Sequence, residues 1–477
     1  MTRTLRPRSG QDLRPRSGLA AFVLVLISAG LVGCSLREPY KAPEVAPVVL
    51  TNTDPALFVA QVYDARWWRQ FDDPVLERLE EDMLQSNHDV RMAVARVDQA
   101  RAIFQDVDLD RFPTAVVGAA VDRRQQAIPG FSEERVRTTT YQAGFDAFWE
   151  VDLFGGVRSA VRSAAATAEG LEASLEDVRV IVAAEVARHY FELRGLQQQL
   201  AVAERFLINQ RETLRLTEVR RDAGIGEEQD VASAAARVAA IEASLPPIRL
   251  AIAERAHGLA VLTGTRPGAL AVDLSPRVYP PLARALSLGD PSLLLRRRPD
   301  VRAAERRLAA ATAREGIAAA DLLPRVTLSG FLGLVTGRGS LFGSADSRAW
   351  AVTPALSWAA FDLGSARARL RGVEAATRES LAGYEQTVLR AIEETENALV
   401  AYREQQTRLV KLADQARESG RAASIARARY REGVADFLAL LDAERTELQA
   451  QDAVAQAEAG VYTSVVAIYK SLGGVSE

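Results

Sequence analysis

Apolar residues between 171 and 214 fall at Leu171, Leu175, Val178, Val182, Val186, Tyr190, Leu193, Leu196, Leu200, Ala203, Leu207 and Leu214. Steps of three, four and seven trace one stripe along an α-helix. Segment 157–223 contains no proline, so the pattern predicts a single helix there, on the order of 100 Å long at 1.5 Å per residue. Segment 364–432 has the same character, and no proline occurs after Pro354. Helices of that length cannot close around a compact core. They need lateral partners, as in coiled coils or helical barrels. Shorter helices are expected over 88–111, 228–263, 299–322 and 436–472, with turns at 222–228 ("DAGIGEE") and 431–437 ("REGVADF"). Pro246 and Pro247 lie inside one of them and are expected to kink or break it near Leu245.

A period of two replaces this pattern in three places. Tyr141, Ala143, Phe145, Ala147 and Trp149 alternate with Gln142, Gly144, Asp146 and Phe148. Trp350, Val352, Pro354, Leu356 and Trp358 alternate likewise, and Val326, Leu328, Gly330, Leu332 and Leu334 make a third set. The stretch after Pro113 alternates weakly, as a fourth strand. Alternating strands of about ten residues ending in aromatics fit the wall of an outer-membrane barrel. A soluble hairpin packed on helices would read the same way.

The elements occur twice. "HDVRMAVARV" from His88 and "PDVRAAERRL" from Pro299 share Asp-Val-Arg at an offset of 211, and Pro113 falls on Pro324. Trp149, Gly155 and Arg158 answer Trp358, Gly364 and Arg367, while Gly224 answers Gly433 and "LTG" at 262–264 answers "LGG" at 472–474. One unit of roughly two hundred residues is used twice. The division is 67–264 for the first copy, with a hairpin near 113–150, and 292–477 for the second, with a hairpin near 325–361. A Pro-rich linker, 265–291, joins them.

The first 34 residues carry the compartment. Arg3, Arg6, Arg8, Arg14 and Arg16 precede the apolar run "GLAAFVLVLISAGLVG", which ends at Cys34, the sole cysteine of the chain. Basic flank and short apolar core describe a secretory signal over 1–33. Gly33-Cys34 resembles a lipobox, which would place a covalent lipid on Cys34 and leave 34–66 as an acylated linker. Ser35, in place of aspartate, favours the outer membrane. "LRPRSG" occurs twice, at 5–10 and 13–18, without a functional account.

With this signal, the membrane reading of the strands gains weight. Four strands cannot close a barrel, and an open edge in lipid leaves backbone groups unpaired. The chain is therefore expected to contribute its four strands to an oligomeric barrel, of a subunit number that geometry does not set.

Composition removes other classes. The chain has 59 Lys+Arg against 62 Asp+Glu. Losing residues 1–33 takes five arginines and Asp12, leaving 54 basic against 61 acidic residues. That balance argues against a nucleic-acid partner. Three histidines and one cysteine leave little for a metal site. Glu185, His189 and Glu192 share a helical face, but a packed helix histidine explains them better than a metal. No phosphate loop or nucleophile elbow appears, so an enzyme is not expected. A coiled-coil lipoprotein without a pore is the rival reading, and the four strands and the duplication count against it. "RRRPDVRAAERRL" (296–308) holds six arginines, yet its twin in the first copy keeps the pattern with few charges. It reads as a helix start, with Asp300 in the first turn and Arg302, Glu305 and Arg306 able to pair along one face.

"WWRQFDDPVLERL" (67–79), "WEVDLFGGVR" (149–158), "RRRPDVRAAERRL" and "YREGVADFLALLDAERTEL" (430–448) in this order resemble the outer-membrane factors of tripartite efflux systems. The group is the TolC-like family, and within it the NodT-type lipoproteins; the likeness spans the mature chain. It implies a mainly α fold with a membrane β-barrel, in which a homotrimer builds a twelve-stranded barrel and a long α-helical barrel. It also implies a passive duct, served by a periplasmic adaptor and an inner-membrane transporter of the RND type, with no cofactor beyond the lipid. The same architecture serves type I protein secretion. By resemblance, Asp442 falls on an aspartate lining the periplasmic gate and Leu438 on an apolar ring beside it. Three converging carboxylates would repel one another and attract cations. A second gate aspartate of some members is Ala439 here. Tyr430 and Asp230 match positions that tie neighbouring helix pairs shut, and the arginine of that lock is replaced by Ala435.

Overall fold

The computed structural model describes residues 40–43, 49–61, 65–128, 132–279, 282, 285–290 and 294–474. The expected signal and Cys34 lie outside these residues. Seven helices are labelled α1 (Pro74–Ser86), α2 (His88–Leu109), α3 (Gly156–Asp222), α4 (Glu228–Leu262), α5 (Pro299–Ala320), α6 (Leu363–Arg431) and α7 (Phe437–Ser471). Six strands are β1 (Phe58–Val59), β2 (Thr114–Ile128), β3 (Ser132–Val151), β4 (Leu286–Ser287), β5 (Arg325–Thr336) and β6 (Arg348–Ser357). Helices α2 and α5 both have 22 residues, α4 and α7 both 35, and α3 and α6 have 67 and 69. Two compact units emerge: residues 102–166 with 309–379, and residues 42–101 with 167–308 and 380–477. No described helix is long and apolar enough to cross a membrane.

The first unit holds a four-stranded antiparallel sheet in the order β2-β3-β5-β6. Its register aligns Val117, Phe145, Leu332 and Trp350 in one row, flanked by the row Ala115, Ala147, Gly330 and Val352. Directly paired residues point to the same side of a sheet, so the alternating apolar sets of three strands combine into one face. The opposite face carries Asp146, Gln142, Ser329 and Thr353, and a row of Gly118, Gly144, Gly333 and Ala349. Those glycines matter: a Cβ on Gly144 would meet the Phe331 ring at 2.8 Å and the Gly333 Cα at 2.8 Å. Each hairpin is tied to the helix before it in the same way. Trp149 Nε1 donates to the Arg111 carbonyl at 3.0 Å, and Trp358 Nε1 to the Leu322 carbonyl at 3.1 Å.

The second unit owes its core to "WWRQF". These residues form a 3-10 turn that buries Trp67, Trp68 and Phe71. Trp67 stacks on Tyr469, Phe71 meets Phe191 edge-on at 4.7 Å, and Phe191 lies 4.9 Å from Tyr462. Asp73 then caps α1 by accepting from the Val75 and Leu76 amides, and it also takes the Tyr190 hydroxyl. The linker joins this core through Tyr279, which stacks on Tyr462 and donates to the Phe191 carbonyl at 3.0 Å. Glu80 is wholly buried, and neither of its oxygens has a hydrogen-bond partner among the described residues. Burial pushes its carboxyl well above the usual range, which favours the neutral acid.

The arginine-rich stretch resolves into two roles. Arg298 is buried and donates to the Ser471 carbonyl at the end of α7 (2.8 Å), while pairing with Asp300 (2.7 Å) and Glu394 (2.8 Å). Arg302 and Arg306 reach instead to α3, pairing with Glu176 (2.6 Å) and Glu169 (2.8 Å). The sequence suggested pairing along α5 itself. Only Arg306 with the adjacent Glu305 does so, at 2.5 Å, because α3 presents carboxylates opposite the arginines. Of the kink or break expected at the proline pair, the break does not occur: α4 runs on through Pro246 and Pro247. Leu245, Val238 and Ile241 are buried against Ala203, Phe206 and Leu207 of α3. That packing holds the helix across the two amide donors it lacks.

Candidate functional site

The two long hairpins of the second unit, α3–α4 and α6–α7, end in turns of the same construction. Gly224 (φ 71°) donates to the Arg221 carbonyl and Ile225 to the Arg220 carbonyl, at 2.9 and 3.0 Å. Gly433 (φ 75°) donates to Tyr430 and Val434 to Arg429, at 3.0 and 2.9 Å. Both glycines close their helices in the left-handed region, where a side chain would be strained. Asp436 then caps α7, accepting from the Ala439 amide at 2.8 Å.

These turns position every residue that the resemblance assigned to the gate. Tyr430 and Phe437 are buried with Ala234 and Leu440, the two rings 5.7 Å apart. Helical geometry turns Leu438 and Asp442, four residues apart, to another side of α7. Leu438 is 60% exposed, unusual for leucine, and the Asp442 side chain is 67% exposed. Asp442 is not a lone carboxylate: Arg445, one turn on, pairs with it at 2.5 Å. The sequence reading missed this residue, although the three-residue spacing of opposite charges was there to be read.

No hydrogen bond joins Tyr430 to Asp230 among the described residues. Arg220, on the last turn of α3, places its guanidinium 4.9 Å from the Tyr430 ring centre and donates to the Tyr430 carbonyl at 3.2 Å. Burial raises the Asp230 carboxyl, as do Glu227 and Asp436, with Arg220 opposing them. Burial likewise raises the Tyr430 hydroxyl, again against Arg220.

Glu185, His189 and Glu192 do share a face, and Arg188 occupies both carboxylates, with Glu192 at 2.8 Å. His189 lies against Gly258, where a Cβ would come within 2.6 Å of its ring. Burial holds its imidazole below the ordinary range, as do Arg188 and Arg255. Packing against a close-approaching helix accounts for this histidine. Among the described residues no group of three or more potential ligands could hold a metal ion.

Residues 79–265 and 291–474 match the family model described as outer membrane efflux protein. The chain belongs to that family, the outer-membrane channels of efflux systems. Among its relatives is the pyoverdine export outer membrane protein OpmQ of Pseudomonas putida, 32% identical over 466 residues, covering 94% of this chain and 96% of that one. Nodulation protein T of Rhizobium leguminosarum bv. trifolii is 28% identical, over 90% of this chain and 91% of the relative. Of solved structures, the outer-membrane channel OprN superposes with a TM-score of 0.91 at 49% identity, covering 92% of this chain and 99% of that one.

Proposed function

We propose that three copies of this chain form a passive exit duct, each contributing β2, β3, β5 and β6 to one twelve-stranded barrel in the outer membrane. The observation that carries this reading is the sheet of the first unit. One face is a continuous apolar field that includes Phe145, Leu332, Trp350 and Leu356, all more than half exposed. Among the described residues β2 pairs only with β3 and β6 only with β5. An apolar face suits lipid, and two open edges require neighbouring copies. Matched element lengths in the two halves support an internal two-fold repeat, with 67–264 and 292–477 as its copies.

In the same reading Cys34 carries the lipid anchor, and the helix turns form a periplasmic gate. Leu438 supplies an apolar ring that excludes water, and Asp442 a charged ring beside it. Because Arg445 neutralises Asp442 within each chain, the ring attracts cations less than three bare carboxylates would. A periplasmic adaptor and an inner-membrane transporter of the RND type would open the gate and drive transport. Small molecules are the favoured cargo over exported proteins, since relatives carry names such as pyoverdine export and toluene efflux.

Light scattering on detergent-extracted protein tests the assembly: the mass of three chains is expected, and a monomer would overturn the barrel. Radioactive palmitate should label the wild type and not Cys34→Ser; equal labelling removes the anchor. Deleting the gene should sensitise cells to small toxic compounds. Loss of one secreted protein, without such sensitivity, would favour protein secretion instead.

A further inference from the structure

We propose that Arg220 is the positioning residue that latches the α3–α4 hairpin to the α6–α7 hairpin at their turns and so holds the gate closed. The inference rests on the duct reading for its functional consequence, while the latch itself rests on contacts within one chain.

Several arginines lie near the turns, and most are occupied within their own hairpin. Arg221 pairs with Asp222 and Glu228, Arg215 with Glu212, Arg427 with Glu444, and Arg445 with Asp442. Arg220 differs. No carboxylate lies within ion-pair distance of it among the described residues, and both its contacts cross to the other hairpin. Its guanidinium covers the Tyr430 ring, and Nη1 donates to the Tyr430 carbonyl, which also accepts from Gly433. That carbonyl belongs to the last turn of α6, where partial negative charge favours a cation. Arg220 also sits in the last turn of α3, so one cation serves the carboxyl ends of both long helices.

The rest of the junction is apolar: Ala234, Tyr430, Phe437 and Leu440 are buried, with Leu214, Leu216, Ala426 and Leu441 packed against them. Further from the turns, Thr213 reaches Glu444 at 3.4 Å and Arg205 reaches Gln451. Neither touches the turn itself. Leu438 lies one residue from buried Phe437 and Asp442 two from buried Leu440, so separating the hairpins at Arg220 would carry both gate residues with α7. Arginine suits the position for its plane as well as its charge. A planar guanidinium can lie over a ring and donate to a carbonyl together, which an ammonium does poorly.

Two readouts separate the latch from the duct. Spin labels on Ala223→Cys and Glu432→Cys, in protein diluted with unlabelled chains, report the distance between the turns of one subunit. Arg220→Ala should lengthen and broaden that distribution, and Arg220→Lys should give an intermediate one. An unchanged distribution overturns the latch, whether or not the protein conducts. In planar bilayers, Arg220→Ala should raise time-averaged conductance about fivefold, equivalent to roughly 1 kcal/mol. In a Tyr430→Leu background, which loses the ring but keeps the backbone carbonyl, the same substitution should raise it less than in the wild type. A full increase there, or wild-type conductance in Arg220→Ala while Leu438→Ala conducts more, overturns the proposal and leaves the duct standing. Silence from every variant, Leu438→Ala included, sinks the duct reading; the spin-label distances then decide the latch alone.

Discussion

Around Phe191 the second unit packs buried Phe71 and Tyr462 and half-buried Tyr279 in ring contact, with Tyr190 beside it. Around Leu438, in the same unit, the helix turns leave Ile225, Val434 and Leu438 each at least 60% exposed. Both regions draw on the same long helices. The first region spends its apolar surface within the chain, and the second keeps apolar surface free. On the duct reading proposed above, the rigid region closes its contacts internally, while the turns proposed to open leave theirs to neighbouring copies and to a few weak polar ties.

Breaking the core should therefore cost stability, and breaking the turns should cost closure. Phe191→Ala removes a fully buried ring and is expected to destabilise the protein by about 3–5 kcal/mol. Thermal unfolding in detergent measures it, and a melting curve like the wild type's would contradict the core assignment. Arg298→Ala removes the buried donor to the Ser471 carbonyl and the partner of half-buried Asp300, and should cost about 2 kcal/mol by the same melting measurement.

A smaller effect comes from Asp177, whose carboxyl is raised to about 6 by burial and by Asp300 and Glu394, against Arg298 and Lys470. Its folded form holds a proton that the unfolded chain, near 3.9, has released. The resulting stabilisation is complete below about pH 4 and is lost as pH rises through about 6. Asp177→Asn should flatten that dependence and gain about 1–2 kcal/mol at pH 7. Retention of the full slope in the variant would show that other groups carry it. Leu438→Ala sits at the bottom of the stability scale, within about 0.5 kcal/mol of wild type. Its effect belongs to conductance.

Much of this was legible in the chain. The stripe from Leu171 to Leu214 fixes a helix because periodicity acts locally and no proline interrupts it. The alternation through Phe145 and Trp350 marks the sheet's apolar face because strand side chains simply alternate. Where tertiary contacts decide, the sequence was silent or misleading. Pro246 and Pro247 are expected to kink or break a helix, and packing against Phe206 and Leu207 carries it through unbroken. Arg302 had a nearby partner along its own helix and found Glu176 on another. Arg220 carries no local mark at all: its partner lies 210 residues away. The Asp442–Arg445 pair is the opposite case, a local signal present in the spacing and overlooked.

Single-channel recording in planar bilayers tests the central claim most directly. The account predicts discrete ionic current steps from the detergent-extracted protein, rare or small in the wild type and larger or more frequent in Leu438→Ala and Asp442→Ala. Protein that inserts with both substitutions yet passes no current would contradict it.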